Sequence, residues 1–261
     1  MNAPDPTLHL RTLDGLGLLP PRRRAVYLAG SVARGWGNDT SDYDFIVIVD
    51  EPWRQIGPVH KEVRVPLDPS RVPVEVTYVD DRQWEVAYWE DRQVDQMLAK
   101  VVGSADAPDP FADITLHEMG FLIRLGYGLE LAGGDWLAVR REQLKASRFT
   151  RLMIERSLDM MDNATADSAG QLRAGDLISA VMSARIAFGR GVDALLASHG
   201  RFRESKKWRA RQMLELSPPE LDFARYWAVE TMRDFDPDHP GRWIEDTLLL
   251  CQNLASAIEL P

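Results

Sequence analysis

The sequence predicts an α+β protein, with a small mixed sheet flanked by helices in its N-terminal part and an all-α helical bundle in its C-terminal part. Short apolar runs bounded by turn residues, which are typical of buried strands, all lie before residue 104. From residue 111 onward the apolar residues recur at helical spacing. Residues 103–110 have the composition of a linker, so we expect two domains, 1–104 and 111–261.

The bulk properties of the chain restrict its function. Its 261 residues are enough for two domains with a core each, and its net charge is −9. An acidic chain argues against a long nucleic-acid footprint, which needs a basic face, and suits a small cationic substrate better. Cys251 is the only cysteine, which excludes internal disulfides and indicates a reducing compartment. Without a signal-peptide pattern or an apolar run of membrane-spanning length, we expect a cytoplasmic protein that does not bind membranes.

The first strand is predicted over residues 25–29, after a short leucine-rich helix within residues 1–20. The strand stops at Gly30, where the backbone can turn without a side chain in the way. Ser31 is then expected to cap the N-terminus of a helix. Because the N-terminus of a helix is a site for anions, a triphosphate is a natural ligand for this turn.

The second predicted strand carries two carboxylates at its beginning. Side chains alternate along a strand, so Asp42 and Asp44 share a face, with Cα atoms roughly 6.5 Å apart. The residues that follow are apolar on both faces, as in a buried strand. Burying an unpaired carboxylate in such a strand costs about several kcal/mol of folding free energy. A bound divalent metal ion would offset this cost, so the two carboxylates indicate a metal site. For Asp42, capping of the preceding loop is the alternative.

These residues together resemble a known signature. Gly30-Ser31, Ala33-Arg34-Gly35 and Ser41-Asp42-Tyr43-Asp44 are similar to the motif of the DNA polymerase β-like nucleotidyltransferase superfamily. The similarity is greatest to the small bacterial branch that includes aminoglycoside and lincosamide nucleotidyltransferases and the minimal enzymes of toxin–antitoxin pairs. The resemblance implies two Mg²⁺ ions on Asp42 and Asp44, and a nucleoside triphosphate, ATP by family default, held by Gly30, Ser31 and Arg34.

A third carboxylate is expected from a strand adjacent to the Asp-x-Asp strand, since the superfamily places one there. Glu75, the only charge in the predicted strand 72–79, is the position that matches. The resemblance implies that it binds metal or removes a proton from the acceptor hydroxyl; an edge-strand glutamate facing solvent is the alternative. Asp80 and Asp81 are reserve candidates, although two acids can also cap the helix predicted over 81–100.

The C-terminal part is predicted to be helical, without a further strand. Small residues in the segment 171–198 let helices approach closely and place it at the centre of the bundle. Cys251 lies among leucines and is expected in the core. The predicted helices are 113–132, 135–162, 171–198, 205–216, 218–231 and 241–258.

Two further features have two interpretations each. The basic cluster from Arg201 to Arg211 contains Lys206 and Lys207, which either lie on a solvated helix face or contact the triphosphate, where relatives with a helical second domain place a basic residue. Trp36, between two glycines, either stacks on the nucleobase or acceptor or packs its own loop.

The resemblance implies a transferase that moves a nucleoside monophosphate to a hydroxyl of a small molecule and releases pyrophosphate. An aminoglycoside- or lincosamide-like antibiotic is the acceptor class it suggests. A protein or tRNA acceptor is an alternative within the enzyme class, and a catalytically silent nucleotide-binding module is an alternative outside it. The sequence is compatible with a monomer or a homodimer.

Overall fold

The computed structural model describes residues 6–53, 59–102 and 114–261. The chain forms two compact units, Met1–Arg148 and Phe149–Pro261. The described helices of the first unit are α1 (Pro6–Gly15), α2 (Gly30–Ala33), α3 (Asp91–Val102), α4 (Leu116–Tyr127) and α5 (Gly134–Lys145). Its described strands are β1 (Arg23–Ala29), β2 (Tyr43–Val49), β3 (Val59–Arg64), β4 (Arg71–Val79), β5 (Arg82–Glu90) and β6 (Leu129–Ala132).

These strands form one mixed sheet in the order β3-β4-β5-β2-β1-β6. Strands β2 and β5 are parallel neighbours, and every other pair is antiparallel. The predicted small mixed sheet flanked by helices is therefore confirmed. Its two central strands, β5 and β2, separate the hairpin β3-β4 from β1 and β6.

The two faces of the sheet are covered differently. On what we call the α1 face, alternate residues of β2 and β5, such as Phe45 and Val86, pack with Leu13 of α1 in one core cluster. On the opposite face, which we call the α4 face, Trp89 of β5 contacts Phe121 of α4, with ring centroids 4.6 Å apart. Because side chains alternate along a strand, the position of a residue in its strand determines whether its side chain lies on the α1 face or on the α4 face.

The prediction of a helix over 81–100 is wrong for the first half of this segment. Residues Arg82–Glu90 form β5, and only Asp91–Val102 is helical. Asp80 and Asp81 have φ values of 50° and 60°, the left-handed region, and they make the tight turn between β4 and β5. Neither aspartate caps a helix. The alternation of buried residues in β5 is the signal that distinguishes it from a helix.

The helix predicted over 113–132 ends earlier and is followed by a strand. Helix α4 stops at Tyr127, and β6 then pairs with β1, so the expectation of no further strand is wrong. The first unit consequently extends to Arg148. The linker predicted at 103–110, and with it the expected boundary between 104 and 111, lies outside the described residues.

The second unit is helical, as predicted for the C-terminal part. The helix predicted over 135–162 is two helices, α5 and the first half of α6. The break expected between the predicted helices 135–162 and 171–198 is absent, because α6 continues to Ala174. A 3-10 turn at Lys206–Trp208 precedes α8. The helices are α6 (Phe149–Ala174), α7 (Leu177–Ser198), α8 (Arg209–Leu216), α9 (Phe223–Glu230) and α10 (Pro240–Ala257).

Helix α7 lies at the centre of this unit, as its small residues predict. Ala180, Ala184 and Ala187 are fully buried. At Gly191, a Cβ would come within 2.9 Å of Met161 Sδ on α6, so glycine is what allows the two helices to pack this closely. Cys251 is buried in the same unit's core, as expected. In the described part of the chain, no helix is both long and apolar enough to cross a membrane.

Candidate active site

The glycine turn at the end of β1 differs in detail from the prediction. Ala29 is the N-cap of α2, and Gly30 is its first residue with φ at 68°, so Ser31 is inside the helix rather than its cap. Helix α2 has only four residues and supplies little helix dipole. The loop after it folds back onto Ser31, whose carbonyl oxygen accepts hydrogen bonds from Trp36 N (2.8 Å) and Gly37 N (3.1 Å).

Gly30 lies directly against the carboxylate of Asp44. A Cβ at Gly30 would overlap Asp44 Oδ2 and would lie 3.0 Å from its Cγ. Glycine is thus required here twice, for the positive φ and for the space that the carboxylate occupies. The glycine of the Gly30-Ser31 pair therefore makes room for the second aspartate of the Asp-x-Asp pair.

Asp42 and Asp44 lie at the start of β2. Asp44 is the second residue of the strand, is half-buried, and pairs with Ala29 at the end of β1. Asp42 just precedes the strand and is exposed. By alternation Asp44 belongs to the α4 face, next to the Gly30 turn, and Asp42 precedes it by two residues.

A third carboxylate, Glu85, accompanies these two aspartates. Strand β5 runs parallel to β2 in a register that places Glu85 beside Asp44. Residues in register on adjacent strands share a face, so Glu85 belongs to the α4 face at a strand spacing of about 4.8 Å. It is half-buried, like Asp44. Sequence reasoning missed Glu85 because it assigned this segment to a helix; the two-residue alternation of Trp84, Val86 and Tyr88 was the available signal.

Glu75 lies on the other face of the sheet. It pairs with Val86 on β5, which immediately follows Glu85 and points to the α1 face. Glu75 is 1% exposed, so the alternative of a solvent-facing edge glutamate is wrong as well. Burial, and after it the negative charge of Glu75, raise the pKa of Tyr88 on this face. The structure therefore does not bring Glu75 together with Asp42 and Asp44, against expectation.

The carboxylates on the α4 face suit a magnesium ion that also binds substrate. Among the described residues, no group of three or more His, Cys, Asp or Glu side chains is arranged to hold a metal ion on its own. Mg²⁺ is commonly bound by one or two protein carboxylates together with substrate phosphates, rather than by a cage of protein ligands. Asp42 and Asp44 supply such a pair, and both are accessible.

Tyr127, at the end of α4, supports the glycine turn and was missed by sequence reasoning. Its hydroxyl accepts a hydrogen bond from Gly30 N at 2.9 Å. The guanidinium carbon of Arg34 lies 3.7 Å from the centre of the Tyr127 ring and 4.8 Å from that of Trp36. Trp36 is only 6% exposed, which favours loop packing over stacking on a ligand. No local pattern in the sequence pairs a helix end at 127 with a turn at 30.

The remaining predicted residues lie elsewhere in the fold. Asp80 and Asp81 occupy the exposed turn between β4 and β5. Lys206 and Lys207 are exposed on the 3-10 turn of the second unit, and Lys207 Nζ lies 5.2 Å from the centre of the Trp208 ring. A role for these lysines in binding the triphosphate stays a prediction.

The fold of this chain is shared with a protein of known structure. It is similar to the crystal structure of a nucleotidyltransferase-like protein from Exiguobacterium sibiricum 255-15, with a TM-score of 0.51 and 13% sequence identity. The match covers 95% of this chain and 73% of the other. No protein-family model matches the sequence. A search of curated proteins also finds no match.

Proposed function

We propose that the protein is a Mg²⁺-dependent nucleotidyltransferase that moves AMP from ATP to a hydroxyl of a small molecule and releases pyrophosphate. The observation that carries this proposal is a group of three carboxylates beside a glycine turn: Asp44 and Glu85 share one sheet face, and Asp42 lies just before the strand of Asp44. The nucleotidyltransferase-like fold supports the same class of reaction.

Asp42 and Asp44 would hold the metal, and Glu85 beside them would act as the base. Two Mg²⁺ ions, when bound, neutralise charge on the triphosphate and lower the pKa of the acceptor hydroxyl. Asp44 is held in place for this task by close packing against Gly30. In this proposal Glu85 takes the role that the sequence predicts for Glu75, because Glu75 is buried on the opposite face.

The chain's own residues position the reacting groups. The turn at Gly30 and Ser31 lies next to the carboxylates, where the Ser31 hydroxyl can donate to a phosphate oxygen. The Gly30 N–H already donates to Tyr127, so that hydrogen bond fixes the turn instead of binding phosphate. The acceptor oxygen then attacks the α-phosphorus, the bond to the β-phosphate oxygen breaks, and Glu85 takes the hydroxyl proton.

The acceptor class follows from resemblance and charge. A chain with a net charge of −9 suits a cationic, hydroxylated acceptor, and an aminoglycoside- or lincosamide-like antibiotic is the first class to test. A protein or tRNA acceptor would keep the same site residues. A nucleotide-binding module without turnover would retain Mg²⁺-dependent ATP binding alone.

Mass spectrometry of candidate acceptors tests the proposal. A panel of aminoglycosides, lincosamides and other hydroxylated metabolites is incubated with the protein, Mg²⁺ and each of the four nucleoside triphosphates. The expected result is one compound that gains the mass of a nucleoside monophosphate, with pyrophosphate released in equal amount. The Asp42→Asn/Asp44→Asn variant is the control and should give no product. If no small molecule, protein or tRNA is modified, the transferase proposal is wrong.

A further inference from the structure

A cationic cavity lies within the helical second unit. None of the elements that line it carries one of the three carboxylates. Its volume is about 360 Å³, and its lining comes from α7, the 3-10 turn, the start of α8 and the end of α9. Among its lining residues, Glu230 is the single acidic one. Four lining residues are basic: Arg185, Arg190, Lys206 and Arg209. This concentration of positive charge contrasts with the chain's net charge of −9.

The cavity wall is built around one buried carboxylate. Asp193 on α7 accepts hydrogen bonds from Arg209 Nε (2.9 Å) and Nη2 (3.2 Å), and Arg203 Nε lies 2.7 Å from its Oδ2. Gly189, one helical turn earlier, makes room for this, because a Cβ there would lie 3.0 Å from Arg209 Nη1. Arg190 reaches the same carboxylate only at 3.8 Å. Three guanidinium groups therefore meet at one carboxylate, and of these Arg209 also reaches Glu230 Oε2, at 3.7 Å.

The positive charge at the cavity is not neutralised by the described part of the chain. There, Arg190 has no ion pair other than the long one to Asp193, and Arg185 and Lys206 have none. Burial, and then repulsion from Arg203, lower the pKa of Arg190. A multivalent anion in the cavity would relieve this repulsion, and guanidinium groups bind phosphate oxygens in pairs.

Apolar side chains complete the cavity. Met182 and Ile186, one turn apart on α7, line it and are 52% and 51% exposed. Exposed apolar surface beside unpaired cations suits a ligand with an anionic end and an apolar body. We infer that this cavity binds an organic phosphate, with the phosphate on Arg185, Arg190 and Lys206 and the organic part on Met182 and Ile186. This inference goes beyond the proposed transferase activity and does not depend on it.

Calorimetric titration of the full chain tests the inference, with inorganic phosphate and phenyl phosphate as probes. Phenyl phosphate is expected to bind more tightly than inorganic phosphate, to bind less tightly at high salt and to raise the Tm. Arg185→Gln/Arg190→Gln should weaken its binding by about tenfold or more. Arg173→Gln, which removes an exposed arginine of α6 outside the cavity, is the matched control and should leave binding unchanged.

Two further arms separate this site from the nucleotide site and from a folding defect. Arg185→Gln alone removes an exposed residue, so it should keep the wild-type Tm and still weaken phenyl phosphate binding. Asp42→Asn/Asp44→Asn should bind phenyl phosphate like the wild type. If binding disappears in that variant and persists in Arg185→Gln/Arg190→Gln, the phosphate belongs to the proposed nucleotide site and the inference is wrong. No binding of either probe to the wild type would overturn it too, whereas missing transferase activity would leave it intact.

Discussion

Replacing Gly30 by alanine tests the packing on which the site depends. A left-handed φ of 68° costs a residue with a Cβ about 1–2 kcal/mol of folding free energy. The new Cβ would also overlap Asp44 Oδ2, so the carboxylate must move by about 1 Å, a displacement that can cost roughly 10²-fold in rate. We therefore expect Gly30→Ala to lose about 1–2 kcal/mol of stability in urea unfolding and about 10²-fold in pyrophosphate release.

Gly35→Ala is the matched control for this prediction. Gly35 has nearly the same φ, 70°, but no atom lies within 4 Å of a Cβ built there. It should therefore lose a similar amount of stability while turnover per folded molecule stays within about twofold of the wild type. Equal losses of turnover in the two variants would refute the argument, because backbone strain alone would then explain both.

Three further predictions concern other parts of the fold. Asp193→Asn leaves several buried or half-buried guanidinium groups without their carboxylate and should cost about 3–5 kcal/mol in urea unfolding; a loss below about 1 kcal/mol would contradict this. Burial raises the pKa of Cys251 to about 12, so iodoacetamide should label it at about pH 8 only when denaturant unfolds the chain, and rapid labelling of the native protein would disagree. Tyr127→Phe removes the acceptor for Gly30 N–H and should raise the KM for the nucleotide more than it lowers kcat, whereas an unchanged KM would exclude that positioning role.

The sequence predicts the parts of the site that local patterns determine. An apolar run that ends at Gly30 predicts the first strand and its turn, and strand alternation places Asp42 and Asp44 on one face. Both elements are present, although Ser31 is one position inside its helix instead of at its cap. The central position of α7 likewise follows from its own small residues.

The third carboxylate could not be placed from the sequence, because its position depends on strand order and register. β5 inserts between β2 and β4, and a shift of one residue in pairing reverses the face of every side chain. That register assigns Glu85 to the face of Asp44 and Glu75 to the other face. The contact between Tyr127 and Gly30 is hidden for a related reason, since it joins residues that are 97 positions apart.

The most direct test of the central claim compares two glutamate variants in one measurement, the affinity for Mg²⁺ in the presence of a non-hydrolysable ATP analogue. If the carboxylates of the α4 face surround the metal, Glu85→Gln should weaken Mg²⁺ binding by at least about tenfold, because a negative charge next to the metal is lost. Glu75→Gln should leave this affinity unchanged, because that side chain is buried on the α1 face. Weakened binding in Glu75→Gln with normal binding in Glu85→Gln would contradict the assignment of the site.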